Sequence, residues 1–424
     1  MDRPITQIKE TINKSFNFLK EKSIKHFDKK FILILMIGIF LRIVSFLYSP
    51  LTPDSFQYIA GAKEILKFTY SSFRPPGFPL FIAPFLFIFQ DGVIAIKIAC
   101  FTASFLLIIS SYLVFKRAAF KVLQQENKAN FVGLLVSFLV SIQYFLAYNN
   151  GRGLREDLIS LCLILIFYFL LIRIKDRNIT HYISIFLLIF YLTLIHVTVG
   201  IFFYISFFLY VLFSIFFKLE HDFSLSEFII VSISFLGSII FWFTFCFLTF
   251  GDPFYTMNIQ KSWFRSELNL NLASLDSLIT SMIRGITNGI PMEFYILIHH
   301  IFLVMIISFI LSLFYFRKKR QIKFLIILIV LNLLFLSMFV MDLPNGRLFL
   351  YLFPFIFYLG FLFLIEILYK YDKNVFTYVR KTTSLTFAYK DFFIIYLGLI
   401  IIANFILFFI GLFDIFELWM FQIM

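Results

Sequence analysis

One carboxylate and two guanidinium groups are placed to do chemistry at the edge of a membrane. Asp54 lies about six residues beyond an apolar run at 31–48, in Ser49-Pro-Leu-Thr-Pro-Asp54-Ser-Phe-Gln-Tyr58-Ile-Ala60. It belongs at the water–lipid boundary, where a molecule with a lipid tail and a phosphate head presents its reactive bond. A carboxylate there can accept a proton, and it also suits the N-cap of the helix that follows. Arg74 opens Arg74-Pro-Pro-Gly-Phe-Pro79, where prolines hold the chain extended and can aim a guanidinium inward. Snorkelling to headgroups is the plainer role. Arg347 follows the turn signal Asp342-Leu-Pro-Asn-Gly and starts an apolar run. It can grip a phosphate bidentately or simply anchor the span.

Other candidates lie at the ends of apolar runs on the same side. Arg155, Glu156 and Asp157 follow Gly151-Arg-Gly-Leu, where carboxylates either favour a helix N-terminus or add a second acidic position. His196 sits at a short hinge, and Asp252 lies in Gly251-Asp-Pro-Phe254, which also reads as a turn. Arg42 and Lys97 fall inside spans, where charge is expensive and marks a functional candidate. Cys100, Cys162 and Cys246 lie in apolar runs without metal or disulfide spacing and read as packing residues. No HExxH, Walker A, GxSxG or kinase-type motif occurs.

The elements that must position these groups are membrane helices. The chain is 61% hydrophobic and 14% charged, against about a quarter charged in a soluble domain. Spans are expected near 31–48, 92–115, 130–148, 153–174, 180–196, 198–217, 227–250, 294–316, 322–341, 346–368 and 391–412, each able to cross about 30 Å of hydrocarbon. The apolar segment 78–89 is too short to span and reads as re-entrant or interfacial. The N-terminus lacks the form of a cleaved signal. Ile5, Ile8, Ile12, Phe16 and Leu19 recur at helical steps among Lys and Glu, the pattern of an amphipathic surface helix or of a solvated tail.

Charge sets the orientation. About 26 of the 37 basic residues fall on the side that carries the N-terminal segment, Lys116, Arg117, Lys121, Arg317 and Lys370 through Lys390. That side is expected to be cytoplasmic. The C-terminus and the loops 49–91 and 251–293 are then external. The net charge of +13 is an orientation signal, not a nucleic-acid signal. The sequons at Asn13 and Asn178 fall on the cytoplasmic side.

Asp54-x-x-x-Tyr58-x-Ala60 followed by Arg74-Pro-Pro-Gly-Phe-Pro-Leu80 resembles the integral-membrane GT-C glycosyltransferases, on the branch of protein O-mannosyltransferases and aminoarabinose-lipid A transferases. Leu41-Arg42, Lys97, Gly153-Leu-Arg-Glu156, Gly251-Asp-Pro-Phe and Gly346-Arg-Leu-Phe-Leu-Tyr-Leu-Phe-Pro354 extend the resemblance over most of 31–368. It implies a polyprenyl-phosphate sugar donor, an external site and Asp54 as catalytic base, with Tyr58 inside the motif. There are departures. The usual adjacent acidic pair is Asp54-Ser55 here, and His196 stands where relatives often carry Arg. No tryptophan-rich oligosaccharyltransferase motif is present.

The expected protein is an all-α bundle of about eleven spans of GT-C type, with interfacial helices in its first external loop. Its parts are a cytoplasmic amphipathic segment 1–30, a catalytic transmembrane region 31–368, and a final part 369–424 with a cytoplasmic loop, a last span and a short external tail. A multi-pass protein of a prokaryotic plasma membrane fits. The expected reaction moves a single sugar from a polyprenyl phosphate to an acceptor hydroxyl on a protein, lipid or glycan, with Arg74 and Arg347 on the lipid phosphate. No cofactor is specified by the sequence, and a divalent metal is possible. Two alternatives remain. A transporter or flippase would show internal repeats and midplane charges, and a polysaccharide polymerase or ligase would use lipid-linked saccharides.

Overall fold

The computed structural model describes residues 28–172, 178–216, 225–256, 258, 303–317, 319–339, 350–379 and 389–412. Among these residues every regular element is helical. The surface helix expected before residue 28, most of the loop 251–293, Arg347 and the C-terminal tail lie outside them.

The first span is α1 (Lys29–Tyr48), begun by Asp28, whose side chain accepts from the Lys30 nitrogen at 3.1 Å. Two short helices then make up the first loop. They are α2 (Pro53–Leu66) and α3 (Gly77–Phe89). The remaining helices are α4 (Gly92–Leu123), α5 (Glu126–Ile142), α6 (Tyr144–Gly151), α7 (Glu156–Phe167, running into a π-turn at Tyr168–Ile172), α8 (Ile179–Ile195), α9 (Val197–Phe216) and α10 (Leu225–Phe250). After the loop follow α11 (Leu303–Tyr315), α12 (Arg320–Phe339), α13 (Phe353–Val379) and α14 (Tyr389–Leu412). A helix stands at every expected span, and five of these are long and apolar enough to cross a bilayer unaided.

Burial separates centre from rim. The most apolar stretch of α13 is 89% buried, against 28% for α1 and α10. On α1 the exposed Leu33, Met36, Phe40, Ile43 and Leu47 recur at steps of three and four, a lipid-facing stripe. The three cysteines are buried and free, as packing residues are.

Two expectations need correction. The stretch 130–148 is not one span but breaks at Gln143, between α5 and α6. The cause comes from α1. Arg42 is 1% exposed and donates through Nη2 to the Val140 carbonyl at 2.8 Å, through Nη1 to the Ser141 carbonyl and through Nε to Ser104 Oγ at 2.8 Å. It thereby satisfies the carbonyls that the end of α5 leaves open. Asp54, in turn, is not an N-cap. Thr52 caps α2 in a capping box with Ser55, Pro53 takes the first helical position, and Asp54 falls in the first turn.

Charged side chains are paired at both ends of the bundle. At one end Lys116 pairs with Glu126 at 3.0 Å and Lys128 with Glu366 at 2.9 Å, and Asn130 donates to Asp28. At the other end α1 closes on Lys97, which donates to the carbonyls of Phe46 (2.6 Å) and Ser49 (2.9 Å). Lys97 is thus the counter-charge of a helix C-terminus.

The first loop is pressed onto the bundle at Gly77. A Cβ there would overlap the backbone of Leu194 and Ile195 at the end of α8, and Tyr191 donates to the Gly77 carbonyl at 3.0 Å. Overpacking a close contact costs about 1–3 kcal/mol. Gly77→Ala is expected to lower the thermal midpoint of the detergent-solubilised protein, while Gly237→Ala, whose Cβ meets nothing within 4 Å, leaves it unchanged.

Candidate functional site

The site forms where the first loop meets the ends of α7, α8 and α10. Ser55 ties α2 to this junction by donating to the carbonyls of Arg152 (2.5 Å) and Gly153 (3.2 Å). Gly153 takes φ +75°, a backbone state that glycine adopts at little cost. Ser55 therefore fastens the loop.

With α2 fixed, Asp54 and Arg74 form an ion pair, Nη2 to Oδ1 at 2.7 Å, with side chains 26% and 13% exposed. Arg74 spends its fork on three neighbours. Nε donates to Gln57 Oε1 at 2.5 Å and Nη1 to the Tyr58 hydroxyl at 3.3 Å. Its carbonyl accepts from the Tyr70 hydroxyl at 2.5 Å. Burial pushes that hydroxyl well above the ordinary tyrosine range, so it stays a donor at neutral pH. The arrangement holds Asp54 in one orientation at the half-exposed start of α2.

Tyr58 is completely buried and links this pair to a second cation. The Arg74 guanidinium lies 5.1 Å from its ring centroid and that of Arg155 lies 5.6 Å away. Phe78 packs edge-on against the same ring. Arg155 donates through Nη1 to the Ile195 carbonyl at 2.9 Å, across the end of α8. A guanidinium carries five N–H donors, so this bond leaves Arg155 able to receive an anion.

Beside Arg155 is a slot of about 110 Å³, lined among others by Pro75, His196, Thr198, Trp242 and Thr256. His196 is the extended residue between α8 and α9 and accordingly faces this slot. The far wall belongs to α10, which the first loop grips. Thr256 donates to the Phe73 carbonyl at 2.8 Å, and the Tyr70 ring lies 5.5 Å from Phe245. A slot with a guanidinium, an imidazole and two hydroxyls on apolar walls suits a phosphate attached to a hydrocarbon chain.

The structure thus gathers Asp54, Tyr58, Arg74, Arg155 and His196. Glu156 and Asp157 take the first of their two expected places, the N-terminal turn of a helix. Both are buried at the start of α7. Asn150 donates to Asp157 at 3.1 Å, and Ser104 hydrogen-bonds Asp157 while accepting from Arg42. Asp252 closes a turn, accepting from the Phe254 nitrogen and from Asn258, both at 2.8 Å. Trp242 and Thr256 were not legible as site residues, since an aromatic in a span and a threonine after one carry no local signal. Among the described residues no three His, Cys, Asp or Glu side chains gather as metal ligands.

No protein-family model matches the chain, and no curated protein matches it in sequence. A solved structure does. The crystal structure of ArnT from Cupriavidus metallidurans bound to undecaprenyl phosphate superposes with a TM-score of 0.56 at 14% identity, over 89% of this chain and 70% of that one. The chain therefore shares its all-helical fold with that protein.

Proposed function

We propose that this protein is a membrane glycosyltransferase that moves one sugar from a polyprenyl-phosphate donor to an acceptor hydroxyl at the outer face of a prokaryotic plasma membrane. The observation that carries the reading is the junction of the Asp54–Arg74 pair with the Arg155–His196 slot, at the end of the bundle poorest in basic residues. The shared fold with a protein bound to undecaprenyl phosphate supports it.

The acceptor oxygen attacks the anomeric carbon as the bond from that carbon to the phosphate oxygen breaks. Asp54 takes the acceptor proton, and polyprenyl phosphate leaves as an anion held by Arg155 and His196. The role of Arg74 shifts from the sequence reading. With three of its nitrogens committed to Asp54, Gln57 and Tyr58, it orients the base, and Arg155 takes the phosphate. Arg347 is proposed as a second phosphate ligand.

The test is transfer of radiolabelled sugar from polyprenyl-phosphate donors to membrane extracts by the purified protein. Arg155→Ala is expected to weaken donor binding by about 10- to 150-fold, the worth of a charge-assisted hydrogen bond of about 1.5–3 kcal/mol. Wild-type protein that transfers no sugar from any lipid donor would favour the transporter reading. Orientation is checked separately. An enzyme active only in the cytoplasm, fused after residue 424, is expected to be silent.

A further inference from the structure

The opposite end of the bundle carries a second cavity, which the proposed reaction does not use. It is a groove of about 530 Å³ between the outer face of α4, the start of α5 and the π-turn after α7. Lys116 and Arg117 line it between Leu113, about one turn earlier on α4, and Phe120, about one turn later, with Leu165 of α7 also in the wall. From Ser110 to Phe120 it follows ten residues of α4, about 15 Å. The groove is therefore long, with its cations in the half nearer the end of α4.

Three features point to its occupant. First, Leu113 and Phe120 are exposed large apolar residues, and among the described residues no helix closes the groove over them. Second, the π-turn at Tyr168–Ile172 puts the Tyr168 hydroxyl 3.3 Å from Arg117 Nη1, adding a hydroxyl beside the cation. Such turns are common at functional sites. Third, Lys116 pairs with Glu126, whose side chain is 64% exposed, and also lies against the Tyr112 ring, 5.8 Å from its centroid. An exposed ion pair of this kind is weak, and an anion arriving from the bilayer can replace the Glu126 carboxylate. The charge pattern places this end in the cytoplasmic leaflet, where basic pockets between spans receive anionic headgroups.

We propose that the groove is a binding site for an anionic phospholipid of the inner leaflet. The phosphodiester meets Lys116 and Arg117, and one acyl chain lies along Leu113 and Leu165. The site is independent of the proposed glycosyl transfer, and neither stands or falls with the other.

The experiment uses the full chain purified in detergent, titrated with phosphatidylglycerol and with phosphatidylethanolamine of matched chains and read by native mass spectrometry. Two basic contacts predict a preference of about thirtyfold for the anionic lipid. The double variant Lys116→Ala, Arg117→Ala is expected to bring the two lipids to about equal binding, and Glu126→Gln to widen the preference. A photo-crosslinking side chain at Leu113, with both cations intact, is expected to label phosphatidylglycerol, which guards against a folding defect in the double variant. Equal binding of the two lipids to wild type, or a preference that survives the double variant, overturns the proposal. So does undecaprenyl phosphate displacing phosphatidylglycerol from the Leu113 crosslink, which would assign the groove to a carrier lipid.

Discussion

Asp54→Asn is expected to lower sugar transfer by about 10²–10⁴-fold, the typical worth of a general base, while donor affinity changes little. Asparagine keeps the size of the side chain and can still accept from Arg74 Nη2, which now lies 2.7 Å from Oδ1. What it loses is the ability to take a proton. The phosphate is assigned to Arg155 and His196, beyond the Tyr58 ring, so the donor complex survives. Turnover and donor binding are measured on the same preparation, the first by radiolabel transfer and the second by equilibrium competition. Transfer undiminished by Asp54→Asn would remove Asp54 from the chemistry and leave the fold untouched. Parallel loss of both quantities would mean that the Asp54–Arg74 pair holds the loop together instead.

The second large effect concerns stability. Arg42→Met is expected to destabilise the protein by about 3–5 kcal/mol, the usual consequence of removing one partner from a buried charged network. Methionine fills the volume but leaves the Val140 and Ser141 carbonyls without their donor and the Asp157 carboxylate without its nearby cation. Unfolding in a denaturing-detergent titration checks it. The double variant Arg42→Met, Asp157→Leu is expected to recover part of the loss, because it no longer strands a buried charge. No recovery would show that capping α5, and not charge balance, is the larger part of the Arg42 contribution.

These two residues also mark how far the sequence could be read. Span positions were legible because membrane helices announce themselves by length and hydropathy. Asp54 and Arg74 were legible as partners in one loop. The capping of α2 by Thr52 was available in Thr-Pro-Asp-Ser but was overshadowed by Asp54, the stronger cap former. The break at Gln143 was not legible. No Gly or Pro marks it, and it depends on a guanidinium arriving from a helix 98 residues earlier in the chain. Arg155 could not be ranked above its acidic neighbours, because its distance from Tyr58 is a property of packing and not of spacing. The inward turn of Asp157 was hidden for the same reason.

The long-range partnership of Arg42 has a consequence for how the chain is made. The first span enters the bilayer carrying a guanidinium whose acceptors, at residues 140 and 141, are about a hundred residues from being synthesised. A cation near the centre of an inserting helix costs about 2.5–3.5 kcal/mol, and at about 5–20 residues per second the wait is about 5–20 seconds. During that interval the helix has no reason to drift into lipid and every reason to stay beside the insertion machinery, with its arginine in contact with water. Its release is timed by the emergence of α5, so the order of assembly is written into the fold: the first helix to enter the membrane waits until α5 has been made.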